Sequence, residues 1–435
     1  RNQLNNQFKI NWKSHGDTEV LLNCFEKYGF KDTLKLLEGM YAIALYDRKF
    51  KKLYLVRDKF GEKPIYFGNS NGKFYFSSEL KAMIIDNNFK KEINKLSVSY
   101  LMSYNYIPSP LSIYKNIYKI KHGHYVEIDL NSHKYENNSF NQIKYTNNPI
   151  AKNTKDNNFK NNKNKLKELI FNSVENKIES DVDIGSFLSS GIDSSTITAV
   201  MSKVSNKKIQ TFSLGYDDNY FDESKQAKQI AKHLGTYHHN INFNLDHASD
   251  LVMNLSNLFC EPFSDSSQIP TLYLSKNTSK HVKVCFSGDG GDELFGGYNR
   301  YFIANGSWKK IENIPINIRK FMANAINSIS QSKWDAIYKS IEILIPKHYR
   351  IQLPGDKIHK IASILICSNM SQLYHRLTRL WDPSNLVIGA TKINSIDMGR
   401  YVPIDSVSEM MVADAMNYLV DDILVKVDRA AMAVS

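Results

Sequence analysis

Two short stretches of the chain concentrate residue types suited to phosphate and metal chemistry. Residues 186–195 read SFLSSGIDSS, an apolar run that passes into serines, a glycine and an aspartate before the helix-like TITAVMSKV. Hydroxyl residues around a glycine at a helix entrance offer backbone N–H groups and a positive helix end to an anion. There is no Gly-Lys-Ser/Thr here, so the common nucleotide P-loop is excluded. Residues 287–298 read SGDGGDELFGGY and set Asp289, Asp292 and Glu293 among glycines that allow close backbone approach. Asp193 would repel a bare phosphate. It suits one when a divalent cation lies between them, and Mg²⁺ takes one or two carboxylates together with phosphate oxygens and water. A helix N-cap, with a Ser or Asp capping the following helix, explains the first loop taken alone. With the second loop beside it, the pair describes a Mg²⁺–ATP site. The pyrophosphate end is the better cradled, so adenylation with pyrophosphate release fits better than γ-phosphoryl transfer.

Such loops need elements that hold them at one place. From about residue 164, helices and strands alternate. The helix LKELIFNSVENKI leads to the strand IGSFLS, a helix from Ser194 and the strand IQTFSLGY. A helix over DESKQAKQIAKHLG follows, with an Asp start and a Gly stop, then YHHNINFN. Helices near 247–258 and 268–280 precede the strand HVKVCFSG, which ends at Gly288. Strands spaced by helices predict an α/β fold with a doubly wound parallel sheet. Ligands of such sheets lie at the carboxyl ends of the strands, and both loops directly follow predicted strands. They are expected to share one site. Residues 301–435 read as mostly helical.

The amino-terminal part differs. A helix over TEVLLNCFEKYG, with Gly29 as C-cap, precedes β-rich sequence over residues 37–78. There IYFGNSNGKFYFSS predicts two strands around a turn at Asn69–Gly72, and a second strand pair is expected around Gly123. Residues 131–165 turn Asn/Lys/Ser-rich with little apolar periodicity. The expected organisation is a domain over 1–130, a linker over 131–163 and a second domain over 164–435.

Bulk composition narrows the classes. The 435 residues are 42% hydrophobic and 23% charged, ordinary for a globular protein. The net charge of +12 resides largely in Lys/Asn-rich segments such as KNTKDNNFKNNKNK, not in a basic stripe interleaved with aromatics, so no nucleic-acid partner is expected. Four cysteines (Cys24, Cys260, Cys285, Cys367) show neither zinc nor disulfide spacing. No run approaches the ~20 apolar residues of a membrane span. The start, RNQLNNQFKI, has no signal-peptide pattern, and the expected location is cytoplasmic.

Two of these motifs carry a family resemblance. SFLSSGIDSS resembles the pyrophosphate loop of N-type ATP pyrophosphatases, and SGDGGDELFGGY resembles the second signature of glutamine-dependent asparagine synthetases. In order along the chain, GDTEVLLNCFEKYG, LEGMYAIALYD, VRDKFGEKPIYF, FSSELKA, TFSLGY, FDESKQAKQIAKHLGTYHH, EPFSDSSQIPTLYLSK and LVDDILVKVDRAAMA also match. The resemblance implies an N-terminal-nucleophile (αββα) glutaminase domain followed by an adenine nucleotide α-hydrolase-like synthetase domain with a helical C-terminal part. Ammonia from glutamine would travel internally to the ATP site, where a carboxylate, aspartate in the usual member, is activated as an acyl-adenylate. Aspartate, glutamine and ATP would be the small-molecule partners, Mg²⁺ the cofactor, and a homodimer a candidate assembly.

Carried over residue by residue, Phe187 or Leu188, together with Leu214, would frame the adenine and ribose, mainly through backbone. Ser189, Gly191, Ser194 and Ser195 would hold pyrophosphate, and Asp193 and Asp292 would ligate Mg²⁺. Ser287 and Gly288 would line the nucleotide, and Asp289 would stand at the acyl-transfer centre. Asp17 matches the carboxylate that binds the glutamine α-amino group, and it is also expected to cap the helix over TEVLL. Arg57, Asp58, Lys63 and Pro64 match a family motif but read as a structural turn. His238 and His239 read as strand residues without metal spacing.

Departures accompany the matches. Ser190 stands where many members have a second glycine, and Asp289 where some have Glu. The family's nucleophilic cysteine would stand at the mature amino terminus, yet no Cys precedes Cys24, which falls inside a predicted helix. The chain is thus expected to enter the glutaminase domain partway and to end within DRAAMA, before a family lysine that balances the departing pyrophosphate. That reading expects no glutaminase activity and weak or absent ammonia-dependent synthetase activity. Arg300, Lys426 and Arg429 are the remaining basic candidates. Two further readings compete: the same mechanism on a glycan, peptide or other carboxylate, and a non-catalytic nucleotide-binding paralogue.

Overall fold

The computed structural model describes residues 1–132, 134–141, 157–178, 180, 182–216, 222–342, 353–389, 393 and 406–434. Two compact units emerge: Arg1–Ile93 with Ser109–Lys144, and Asn94–Pro108 with Tyr145–Ser435. The fold class is mixed α/β, with antiparallel sheets in the first unit and a parallel sheet in the second.

In the first unit, α1 (Asn2–Gln7), α2 (Asp17–Tyr28) and α3 (Phe30–Leu36) precede β1 (Ala42–Asp47), β2 (Lys52–Arg57), β3 (Tyr66–Ser70) and β4 (Lys73–Ser77). A short α4 (Leu80–Met83) follows, then β5 (Ile117–Lys119), β6 (His124–Asp129) and β7 (Tyr135–Ser139). The sheets run β1-β2-β6-β7 and β4-β3-β5. Side chains alternate faces along each strand. Leu53 and Leu55 of β2 and Val126 and Ile128 of β6 therefore pack with Ile65 and Phe67 between the sheets. On the opposite face, Val56 and Tyr125 receive Leu34 of α3 and Phe25 of α2. With α4 against β4, the layers follow the expected αββα order.

Several local expectations needed correction. The β3–β4 turn is tighter than Asn69–Gly72 suggested: Ser70 pairs with Lys73, and Asn71 and Gly72 take positive φ of 51° and 80°. Such a two-residue turn favours Asn-Gly because both central residues are left-handed. The strands flanking Gly123 do not pair with each other. β5 joins β3 and β6 joins β2, because the chain changes sheet between them. The expected linker contains β7, which pairs with β6, and the start of the long helix α6 (Asn157–Ile178). Strand pairing supplies the backbone partners that an apolar-poor sequence does not advertise.

The second unit opens with α5 (Lys95–Tyr104), capped by the Asn94 side chain, which accepts from Leu96 N. After α6 the alternation proceeds as β8 (Ile184–Phe187), α7 (Ile192–Val204), β9 (Gln210–Tyr216), α8 (Ser224–Leu234) and β10 (Tyr237–Phe243). The helix expected near 247–258 is two pieces, α9 (Leu245–Val252) and α10 (Leu255–Leu258), separated by a turn in which Asn254 N donates to Leu251 O. Next come α11 (Gln268–Thr278) and β11 (Val284–Phe286). The parallel sheet has the order β10-β9-β8-β11. The chain steps outward from β8 through β9 to β10 and then returns to β11 on the other side of β8. With the right-handed crossovers that parallel strands favour, that reversal puts the connecting helices on opposite faces, the doubly wound plan.

The remainder is helical: α12 (Gly291–Phe295), α13 (Asn299–Ile311), α14 (Ile316–Asn327), α15 (Gln331–Ile341), α16 (Pro354–Leu365) and α17 (Met370–Thr378). The last rod joins α18 (Ser406–Ala413), a π-helical stretch over Asp414–Ile423 and α19 (Leu424–Met432). Tyr301, Ala304 and Ile311 of α13 share one side, and that side packs with Leu373 and Tyr374 of α17 and Met410 of α18. Burial of each large apolar side chain is worth about 1.5–3 kcal/mol. No helix among the described residues is long and apolar enough to cross a membrane.

Candidate active site

β8 and β11 lie side by side in parallel, with Ser186 opposite Phe286. Strand order reverses between them, since β9 and β10 are added on the far side of β8. Loops leaving two such strands diverge and open a crevice at their carboxyl ends. The SSGIDSS loop leaves β8, and the SGDGG loop leaves β11. They touch backbone to backbone: a Cβ added at Gly288 would lie 2.7 Å from Ser194 N and 3.1 Å from Asp193 Cβ. A Cβ at Gly291 would overlap the Asp193 carboxylate.

The first loop is ordered by its own hydroxyls. Ser189 N donates to Ser194 Oγ at 3.1 Å, Gly191 N donates to Ser189 Oγ at 3.0 Å, and the two serine hydroxyls meet at 2.8 Å. Ser194 and Ser195 hydroxyls donate back to Gly191 O, at 3.3 and 2.7 Å. The helix begins at Ile192 with Gly191 in the cap position and no side-chain cap. The simple N-cap reading of this loop is therefore overturned: neither Asp193 nor a serine accepts from the first-turn amides. Those donors have no intrahelical acceptor and stand at the positive end of α7.

Asp193 is half-buried in the first turn of α7. Burial raises its carboxyl above the ordinary range, and the neighbouring Asp292 raises it further. A half-buried acid whose charge a neighbouring carboxylate disfavours is a donor that a cation would relieve. Asp289 is exposed, followed by Gly290 at φ 91°. Glu293 is buried, raised mainly by burial, and accepts from the Tyr298 hydroxyl at 2.7 Å.

Ser287 and Gly288 continue directly from β11, and Phe187 ends β8. Leu188 N donates to Phe212 O at 2.8 Å while its side chain packs on Ala227 and Ala231 of α8. Only the main chain of Leu188 can then face a ligand. Leu214 lies in β9 opposite Ile241 of β10.

Asp17 belongs to the other unit. It is the first residue of α2 and exposed, and Gly16 occupies the cap position without a side-chain bond, so Asp17 is not the expected cap. Cys24 sits within the same helix, and burial pushes its thiol up, opposite to what a nucleophile needs. Arg57 and Asp58 are both buried at a turn. Arg57 donates to Gly61 O and Ile120 O at 2.7 and 2.9 Å, and Asp58 accepts from Phe60 N, Glu62 N and Lys63 N. His238 bridges Thr211 and Ser213 hydroxyls, and His239 stacks on Phe212 at 4.9 Å.

The basic candidates are already committed. Arg300 pairs with Asp414 at 2.5 Å and lies 3.9 Å over the Tyr298 ring. Asp414 also accepts from Tyr301 and Tyr374 hydroxyls, at 2.8 and 2.5 Å. Lys426 is buried, donating to Ser267 Oγ at 2.8 Å beside Asp265 at 3.3 Å. Arg429 is buried as well. Sequence reasoning missed two groups. One is the buried Asp265–Asp422–Lys426 cluster, whose signal was the paired acids and lysine of DDILVK. The other is Glu223, whose FDES context read only as a helix start; it accepts from Ser190 N and Ser190 Oγ at 3.3 and 2.7 Å.

Comparison with known proteins agrees with this geometry. The family model for asparagine synthase matches residues 165–435, and that for a glutamine amidotransferase domain matches residues 1–140. A Methanocaldococcus jannaschii protein provisionally named glutamine-hydrolysing asparagine synthetase 2 is 32% identical over 99% of this chain, which covers 79% of that protein. Glutamine-hydrolysing asparagine synthetase 1 of Bacillus subtilis is 31% identical over 72% of the chain, and asparagine synthetase B of Escherichia coli is 28% identical over 67%. The chain spans about half the length of those two, 47% and 48%. One family model over more than half of the sequence, and one relative aligned along nearly all of it, make this chain a member of the asparagine synthase family of ligases.

Proposed function

We propose that the second unit uses ATP to activate a carboxylate as an acyl-adenylate, which ammonia then converts to an amide, and that the carboxylate is the side chain of aspartate. The carboxylate oxygen attacks the α-phosphorus, the α–β bridging bond breaks, and pyrophosphate departs. Ammonia nitrogen then attacks the acyl carbon, AMP leaves with the C–O electron pair, and the nitrogen gives up a proton. Adenylation makes AMP a far better leaving group than oxide. The relatives' names support aspartate as acceptor and glutamine as the ammonia source.

The observation that carries this reading is the backbone contact of the two loops at the strand-order reversal, with Gly288 against Ser194. Ser189, Gly191, Ser194 and Ser195 would hold the pyrophosphate at the positive end of α7. Phe187, Leu188, Leu214, Ser287 and Gly288 would line the nucleoside through main chain. Asp193 and Asp292 fit Mg²⁺: Asp292 lies close enough to raise the Asp193 carboxyl, and two carboxylates completed by phosphate oxygens and water are what this ion takes. Bound there, the ion would supply neutralisation of phosphate charge. Asp289, exposed at the loop tip, would accept the proton that ammonia loses. In the first unit, Asp17 would bind the glutamine α-amino group.

The test is aspartate-dependent exchange of labelled pyrophosphate into ATP. Asp193→Asn and Asp292→Asn are each expected to abolish it without unfolding the protein. Exchange that survives both substitutions, or ATP cleavage to ADP instead of AMP, would overturn the assignment. Exchange driven by sugar acids in place of aspartate would move the acceptor.

A further inference from the structure

The resemblance leaves one feature of the phosphate loop unexplained, the serine at 190 where many relatives have glycine. We propose that Glu223 is a positioning residue for this loop, acting through Ser190, and that the pair sets the loop's affinity for the nucleotide. The inference rests on the ATP reading above.

The geometry is specific. β9 ends at Tyr216, and Asp222 then turns the chain into α8, accepting from Tyr216 N at 3.4 Å and from Ser224 N at 3.1 Å. That leaves Glu223, at the cap position of α8 and with no capping bond of its own, directed across to the neighbouring loop. Its Oε2 accepts both the main-chain N–H and the hydroxyl of Ser190. A glycine at 190 could give only the first of these bonds. The serine thus adds a second anchor to a loop whose other side-chain bonds run among residues 189–195 themselves and from the Thr198 hydroxyl of α7 to Ser194 O.

The carboxylate also decides which donors remain for an anion. Ser190 N–H is spoken for, so a pyrophosphate would be received by the Ser189, Ser194 and Ser195 hydroxyls and the first-turn amides of α7. Holding Ser190 from outside keeps Ser189 and Gly191 in the register that pairs their atoms, reducing the ordering left for the nucleotide to impose. Glu223 touches no phosphate in this arrangement.

Calorimetric binding of a non-hydrolysable ATP analogue with Mg²⁺ would measure the effect on the full chain, with amide exchange over residues 189–195 measured without nucleotide. Glu223→Ala is expected to weaken analogue binding roughly three- to tenfold, the scale of losing a charge-assisted hydrogen bond at an exposed site. It should also speed exchange at Ser190 and Gly191, with the thermal midpoint unchanged. Glu223→Gln keeps an acceptor and should restore most of both. Ser190→Ala should weaken binding in the native background and add little on top of Glu223→Ala. Tighter binding by both Glu223 variants would identify the carboxylate as a competitor of phosphate and overturn the proposal; unchanged binding, or additive losses, would do the same. If the native chain fails to bind the analogue while Glu223→Ala still loosens the loop, the ATP reading fails and the positioning role stands.

Discussion

Gly288→Ala offers the sharpest trial of the two-loop site. The added methyl carbon would lie 2.7 Å from Ser194 N and 3.1 Å from both the carbonyl carbon and Cβ of Asp193. Ordinary contact begins near 3.4 Å, so the loops must part by about 0.7 Å (3.4 − 2.7), and the atoms in the way are chiefly main chain that cannot rotate aside. Overpacking of this kind costs about 1–3 kcal/mol. The parting also moves Asp193 and Ser194 off the register they share with Asp292. Loss of one hydrogen bond to a charged group, about 1.5–3 kcal/mol, translates into roughly 10- to 100-fold weaker Mg²⁺–ATP binding. Calorimetric titration of nucleotide, paired with a thermal melt, separates the two effects. Gly306→Ala is the control: no atom lies within 4 Å of its Cβ position, it sits inside α13, and it should raise stability by roughly 0.5–1 kcal/mol with nucleotide binding intact. Nucleotide binding by Gly288→Ala within twofold of native would refute the shared-crevice argument.

The buried acid cluster under the last rod makes stability depend on pH. Burial, together with Asp265, pushes the Asp422 carboxyl from the ordinary carboxylate range up to about 8, against the opposing pull of Lys426. The native state therefore holds a proton that the unfolded chain releases near pH 4. Its stabilising effect is complete below that pH and is lost as pH rises from about 4 through about 8. Denaturant unfolding across that window should show stability falling with pH, and Asp422→Asn should flatten the fall. A steeper slope in the variant would contradict the sign. A second cluster tests charge pairing: Asp414→Asn leaves the Arg300 guanidinium without its anion in a half-buried site. It should lower stability by about 3–5 kcal/mol, read as a shift in denaturant midpoint, whereas an unchanged midpoint would show that the tyrosines suffice.

Local chemistry determined much of this protein. The alternation of SFLSSG, TFSLGY and HVKVCFSG with helical periods was enough to expect a parallel sheet, because period-2 and period-3.6 burial are properties of neighbouring residues. Small residues and acids at strand ends likewise announced the loops, since Gly and Ser carry their conformational meaning wherever they stand. The sequence could not say that Gly288 touches Ser194, that Glu223 reaches Ser190, or that Arg300 and Lys426 are already taken by Asp414 and Asp265. Those pairs are separated by about 30 to 160 positions, and only packing brings them into range. The same distinction explains β7 and the π-helical turn around Asp414–Ile423: an Asn-rich stretch becomes a strand because β6 offers it partners, and the widened helix is where Asp414, Asp421 and Asp422 are buried, Asp414 against Arg300. Spacing along a chain records what each residue prefers; which preferences are overridden depends on contacts that exist only once distant elements have met.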